Sequence, residues 1–207
     1  FYYVKDRFEK DRTNSHLLIM AKTVEGQKRL TELISEANKT GFYHKPRIDK
    51  SLLMTLDPKD VVVTSTCISS PYRLYNDESF IVDCHEHFGD SFFLEIHDNT
   101  NIKQVEYNKK LLNMHEKYGI PFVFATDTHY IYEEDYKWRD LFLRGKDIIY
   151  PEEDGFIMDY PEPEKVVQRF EKQGVFTREQ VESAMINTLI ADDFEPFEVN
   201  DDIKMPS

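Results

Sequence analysis

The chain has 207 residues, 40% of them hydrophobic and 14% aromatic, and its 26 basic against 39 acidic side chains give a formal net charge of −13 at pH 7. That apolar content is too high for a disordered polymer and too interrupted for a membrane span, and a globule of this size buries roughly 70% of its unfolded surface. The acidic balance excludes the broad basic footprint of an autonomous nucleic-acid binder, so any DNA contact must come from a local patch or from another part of the protein. Two cysteines, Cys67 and Cys84, with no charged n-region and apolar h-region at the start, predict a reducing, cytoplasmic setting without disulfides.

In chain order, Phe1-Tyr2-Tyr3-Val4 is an aromatic and β-branched run expected to form a buried strand. It has neither an initiator Met nor a polar lead-in, as expected of an excerpt from something longer. Leu17–Ala21 is the next predicted strand, followed by a helix over Val24–Asn38 with Leu30, Leu33, Ile34 and Ala37 on one face. Val61–Ser65 is again strand. A helix from about Asp77 to Phe88 ends at Gly89 and feeds a strand at Phe92–Ile96. Ile102–Tyr118 is helical with Val105, Leu112 and Tyr118 inward, closed by Gly119, and Phe122–Ala125 is the last strand. These strands are apolar on consecutive positions, which points to a parallel sheet or barrel covered on both faces, built from βα units.

From Glu134 onward only helices are predicted, near Asp135–Leu143, Glu162–Lys172 and Thr177–Ala191, the last opened by a capping box of Thr177 and Gln180. The polar, Pro-terminated tail Asn200–Ser207 suits a linker. One domain over residues 1–193 and a linker over 194–207 is the expected division.

The sharpest chemical signal is Phe124-Ala125-Thr126-Asp127-Thr128-His129-Tyr130, an apolar strand running directly into Asp-x-His. Two residues apart on an extended segment, both side chains point to one face, where a carboxylate and an imidazole can converge on one metal ion. The bland alternative is a turn with a capping Asp and a hydrogen-bonded His. Cys67 lies just past the end of the Val61–Ser65 strand, while His16 precedes Leu17 at a strand's N-terminal edge. Taken singly, each is ordinary packing or surface; together with Asp127 and His129 they make a donor set suited to zinc or a similar divalent ion. Glu95 and His97 form a second tier, without a partner spacing to support them. Cys84-His85-Glu86-His87 looks metal-like, but neighbours at i and i+2 on a helix do not share a face, so this cluster is expected to be solvated helix surface. Phosphate-binding glycine loops and nucleophile-elbow patterns are absent.

Several segments, in order, resemble one family. Ser15-His16-Leu17-Leu18-Ile19-Met20-Ala21-Lys22, Gly41-Phe42-Tyr43-His44-Lys45-Pro46-Arg47-Ile48-Asp49, Thr64-Ser65-Thr66-Cys67-Ile68, Phe93-Leu94-Glu95-Ile96 and Ala125-Thr126-Asp127-Thr128-His129-Tyr130 are similar to the polymerase and histidinol phosphatase (PHP) domain of bacterial replicative DNA polymerase III alpha subunits. Phe42–Asp49 is the most specific block. The resemblance implies an α/β fold, a distorted TIM-like (β/α)7 barrel with a helical C-terminal third, whose first strands are missing from this excerpt. It also implies a cluster of zinc, manganese or magnesium ions at the strand ends. Its matching ligand positions are His16, Cys67, Asp127 and His129, with Arg47 beside the site as a catalytic group.

The function implied is the PHP portion of a DNA-directed DNA polymerase, with a metal-dependent phosphoesterase or 3′-5′ exonuclease site. This part alone is expected to be inactive because roughly half of the ligand set lies upstream. DNA, a sliding clamp and a proofreading exonuclease subunit are the implied partners, and no membrane. A free-standing PHP phosphoesterase and a non-catalytic scaffold that docks a proofreading exonuclease are the alternatives. The four ligand residues are expected in one cleft at a strand-end rim, and little DNA affinity is expected outside that rim.

Overall fold

The computed structural model describes residues 1–13, 15–150 and 155–197. Most of the expected linker, residues 198–207, lies outside the described residues. In chain order the elements are β1 (Tyr2–Tyr3), β2 (Ser15–His16), β3 (Leu18–Ala21), α1 (Val24–Thr40), β4 (Arg47–Ile48), α2 (Lys50–Leu53) and β5 (Val61–Thr64). Then follow α3 (Pro71–Tyr75), α4 (Ser79–Phe88), β6 (Phe92–Ile96), α5 (Ile102–Tyr118), β7 (Phe122–Phe124), α6 (Tyr136–Arg144), α7 (Pro163–Gln173) and α8 (Arg178–Ile186). A 3₁₀ segment, Asn187–Asp193, closes the described chain. None of these helices is long and apolar enough to cross a membrane.

The strands form two sheets, of order β2-β1-β4 and β3-β5-β6-β7. The fold is mixed α/β, and neither sheet closes into a barrel among the described residues. In the larger sheet β5, β6 and β7 are parallel, but β3 pairs antiparallel with β5, Leu18 opposite Thr64 and Ala21 opposite Val61. This corrects the expectation of an all-parallel array covered on both faces: Leu18 is 40% exposed, because β3 is an edge strand with one face toward solvent.

The three parallel strands do bury both faces. Val61, Val63, Phe92, Leu94, Ile96 and Phe122 join the main core under α1, α4, α5, α7 and α8. Val62, Phe93 and Val123, the residues of opposite parity, form a second cluster covered by Ile190 and Phe194. The Thr177–Gln180 capping box opens α8 through reciprocal hydrogen bonds, which fixes the last helix against β7. Cys84 is wholly buried on α4, so the expected solvated cluster is corrected: that helix turns its cysteine into the core and leaves Glu86 outward. His87 uses Nε2 on the Leu56 carbonyl.

The smaller sheet is tied down by charge. Arg47, 1% exposed, gives Nε to the carbonyl of Gly41, Nη1 to that of Asp11, and Nη2 to those of Arg7 and Glu9. Gly41 itself lies so close to the Arg47 carbonyl that a Cβ there would overlap it. Two positions on, Asp49 receives Nη1 of Arg7 at 2.7 and 2.8 Å, the hydroxyl of Ser51 and the amide of Leu52, so it pairs a charge and caps α2 at once. Burial pushes the Asp49 carboxyl up, but hydrogen bonds from Ser51, Arg7 and Leu52 and the Arg7 charge outweigh it and hold the group below its ordinary value.

Replacing Arg47 by Ala strands four carbonyls, and we expect a loss of about 4 kcal/mol in urea unfolding followed by circular dichroism. A loss within the ordinary surface range of about 0.5 kcal/mol would contradict the clamp. Because the Asp49 value is depressed on folding, its stabilisation is complete above about pH 3.9 and is lost as pH falls through the lower folded value. Asp49→Asn should therefore flatten the stability profile in that acid range, whereas a profile parallel to wild type would count against the assignment.

Candidate functional site

Parallel pairing brings the C-terminal ends of β5, β6 and β7 to one edge of the sheet. On the face of the small second cluster, the apolar layer of Val62, Phe93 and Val123 gives way along the strands to Thr64 and Glu95, then to His97 just past β6. Glu95, 4% exposed, accepts the Thr64 hydroxyl at 2.5 Å and pairs with His97 Nε2 at 2.8 Å. Desolvation pulls the His97 value down, but the hydrogen bond and charge of Glu95, with Asp127 and Asp98 behind, prevail and raise it.

His16 reaches this edge because β3 is antiparallel to β5: the start of β3 lies beside the end of β5, and the strand's N-terminal edge becomes part of the C-terminal rim. The His16 amide donates to the Ser69 carbonyl, fixing β2 to the loop after β5. In that loop the Cys67 Sγ stands 3.8 Å from His16 Nδ1. Burial pushes the Cys67 thiol up, and the negative charges of Glu95 and Asp127 push it further. Desolvation lowers His16 below the usual imidazole value, against the opposing pull of Asp127. Asp127 thus acts on His16, Cys67 and His97 together.

After β7, His129 Nδ1 lies 2.9 Å from the Asp127 carbonyl oxygen and 3.7 Å from its carboxylate. Donation from Nδ1 to that carbonyl leaves Nε2 as the ring's free acceptor. The loop is held from below: the amides of His129 and Tyr130 donate to the Met158 carbonyl, and the Thr128 hydroxyl donates to that of Asp159. Arg169 of α7 in turn grips Asp159 at 2.8 Å and Asp98, just past β6, at 3.1 Å. Lys165 adds a 2.8 Å contact to Asp159. Burial would raise Asp159, but these two cations hold it below the ordinary carboxylate value.

The candidate residues therefore come as a His16–Cys67 pair and an Asp127–His129 pair around a buried Glu95–His97 pair. Imidazole, thiol and carboxylate are suitable metal donors in kind. Among the described residues, however, no three His, Cys, Asp or Glu side chains stand together closely enough to hold a metal ion. Arg47, expected beside the site, donates Nε, Nη1 and Nη2 to four backbone carbonyls and so shapes the loops that carry them.

Residues 1–99 match the family model described as the PHP domain. The chain carries a PHP domain. It is homologous to the PHP region of DNA polymerase III alpha subunits. The alpha subunit of Aquifex aeolicus is 32% identical over 91% of this chain and 18% of its own length. That of Thermus aquaticus is 31% identical over 62% of this chain and 11% of its own length. The DNA-directed DNA polymerase of Bacillus phage SPbeta is 27% identical over 70% and 13%. The chain thus spans less than a fifth of the length of the relatives it matches.

In this PHP domain the loop between β5 and Cys67 carries one backbone irregularity. Thr66 is left-handed, with φ 54°, although a β-branched residue strongly disfavours that region. The Thr64 hydroxyl accepts its amide at 3.2 Å and holds the bend that presents Cys67 to His16. Such strain costs about 1–3 kcal/mol, and glycine would release it while paying about 0.5–1 kcal/mol of chain entropy. Thr66→Gly should stabilise the domain by about 1 kcal/mol in urea unfolding; a loss of stability would show that Thr66 packing outweighs the strain.

Proposed function

We propose that this chain is the PHP module of a replicative DNA polymerase alpha subunit, with polymerisation carried by other parts of a longer polypeptide. The observation that carries the reading is the rim itself. His16 comes from β2, Cys67 from the end of β5, 51 residues later, and Asp127 from the end of β7; His16 and Cys67 stand 3.8 Å apart, and the Asp127 charge acts on both at one edge of the sheet. A match running through 91% of the chain to an alpha subunit supports it. In this setting residues 1–193 form the domain, the two open sheets are parts of a distorted (β/α)7 barrel, and the compartment is the cytoplasm. Primed DNA, a sliding clamp and a proofreading exonuclease subunit are the partners.

His16, Cys67, Asp127 and His129 are the residues of this chain that would face a divalent ion or a phosphate ester. They are two pairs, which favours a second role for the domain by itself: a rigid scaffold that braces the polymerase and offers a surface to the exonuclease. In either role the chain alone lacks a complete phosphoesterase site.

Purified chain supplied with manganese or zinc should leave single-stranded DNA intact, while the longer polypeptide extends a primed template. Degradation of DNA by the chain that disappears in His129→Ala would overturn the scaffold role. Failure of the longer polypeptide to extend any primer would overturn the polymerase reading.

A further inference from the structure

We propose that the two loops clipped together by Arg47, residues 7–11 and 41–45, form a stacking platform for single-stranded nucleic acid beside the His16 edge of the domain. The proposal rests on the polymerase reading above and gives it a specific place of contact.

Each loop displays a phenylalanine that the fold does not bury: Phe8 is 68% exposed and Phe42 61%. Exposed aromatics on loops are commonly mobile, but these loops are braced. The Arg47 guanidinium takes three carbonyls from the first loop or its immediate end and one from the second, at 2.7 to 3.0 Å. It also lies 5.4 Å from the centre of the Tyr43 ring. Tyr43 and Lys45 close a tight bridge, with the Tyr43 amide on the Lys45 carbonyl at 3.1 Å, and the Arg7 guanidinium sits 4.4 Å from the Phe8 ring. Within that turn His44 is left-handed, at φ 61°, a strained conformation that turns its ring edge-on to Tyr43. A preorganised aromatic loses little entropy when a flat ligand stacks on it.

Charge selects the ligand. In a chain of net charge −13, this corner exposes Lys10, Arg12 and Lys45 against two exposed carboxylates, Glu9 and Asp6, the second of which accepts the Phe8 amide at 2.8 Å. Arg7 is taken by Asp49, and Asp11 accepts the Tyr75 hydroxyl at 3.0 Å. Flat apolar faces interleaved with cations match the alternation of bases and phosphates in a single strand, and a closed duplex hides its bases from such a surface. The platform also leads to the rim: Lys45 Nζ lies 5.2 Å from the Tyr2 ring centre, and Tyr2 meets the His16 ring edge-on at 5.7 Å. A strand lying on Phe42 therefore runs toward His16.

The test is fluorescence anisotropy of the 207-residue chain with labelled oligothymidylate, with a duplex of the same length, and with polyglutamate as competitor. In low salt we expect oligothymidylate to bind with Kd of about 10–100 μM, within the non-specific range. Phe42→Ala should weaken it about five- to tenfold. Lys45→Glu should lower the salt slope by about 1, whereas Lys117→Glu, the same charge change on α5, should do neither. All three substitutions are at exposed positions, and unchanged thermal unfolding will show that the fold is kept. The proposal is overturned if the chain does not bind the strand, if Phe42→Ala and Lys45→Glu bind as wild type, or if polyglutamate displaces the strand at equal residue concentration, which would assign the corner to acidic peptides. Loss of the platform alone would leave primer extension by the longer polypeptide in place, so the two readings fail separately.

Discussion

The parallel alignment of β5, β6 and β7 is the constraint on which the candidate site depends. Parallel strands end at the same edge, so residues that follow them in sequence, Cys67, His97 and Asp127, are delivered to one rim without any local motif. The antiparallel β3 completes the arrangement from the other direction, since its beginning, next to His16, lies where β5 ends. The same alternation that seals Val62, Phe93 and Val123 under the C-terminal segment puts Thr64 and Glu95 on that face as the apolar cover runs out. The second apolar cluster and the site are thus two stretches of one side of one sheet.

Behind the rim, buried charge does the work that loops of this length cannot do alone. Arg169 joins the chain after β6 to the segment beneath His129, and Arg47 joins two loops that are separated by β2, β3 and α1. Burying a guanidinium is unfavourable unless its donors are met, and both are met, one by carboxylates and one by carbonyls. Arg169 is paired directly with two carboxylates, while Arg47 is met by backbone carbonyls, with the Asp11 carboxylate close enough to feel its charge.

The strands and most helices were legible in the sequence because their apolar periodicity follows directly from burial. Val61–Thr64, Phe92–Ile96 and Phe122–Phe124 fall within the expected runs, and Thr177 opens its helix as expected. Strand direction was not legible: Leu17–Ala21 looks like its parallel neighbours, and only the pairing partner reveals that it is an edge. The carbonyl partners of Arg47 were not legible for a related reason, since a positive charge in a distinctive block reads the same whether it faces a phosphate or four carbonyls. Glu95 carried a usable signal, a lone carboxylate in the apolar run Phe92–Ile96, which a buried strand tolerates only with partners in place. Nothing local marks Asp98, Asp159 and Arg169 as partners, because the pairing spans 71 residues and looks in sequence like ordinary surface charge.

One helix stands outside this economy. None of the residues of α6 is buried, and Leu141, Phe142 and Trp138 lie 62%, 59% and 61% exposed along it. Trp138 is the single tryptophan of the chain. Its indole therefore lies largely in water in the native state, as it does in the unfolded chain. Tryptophan emission, the ordinary optical signal for protein denaturation, therefore has little change of surroundings to report when the core of this domain is lost.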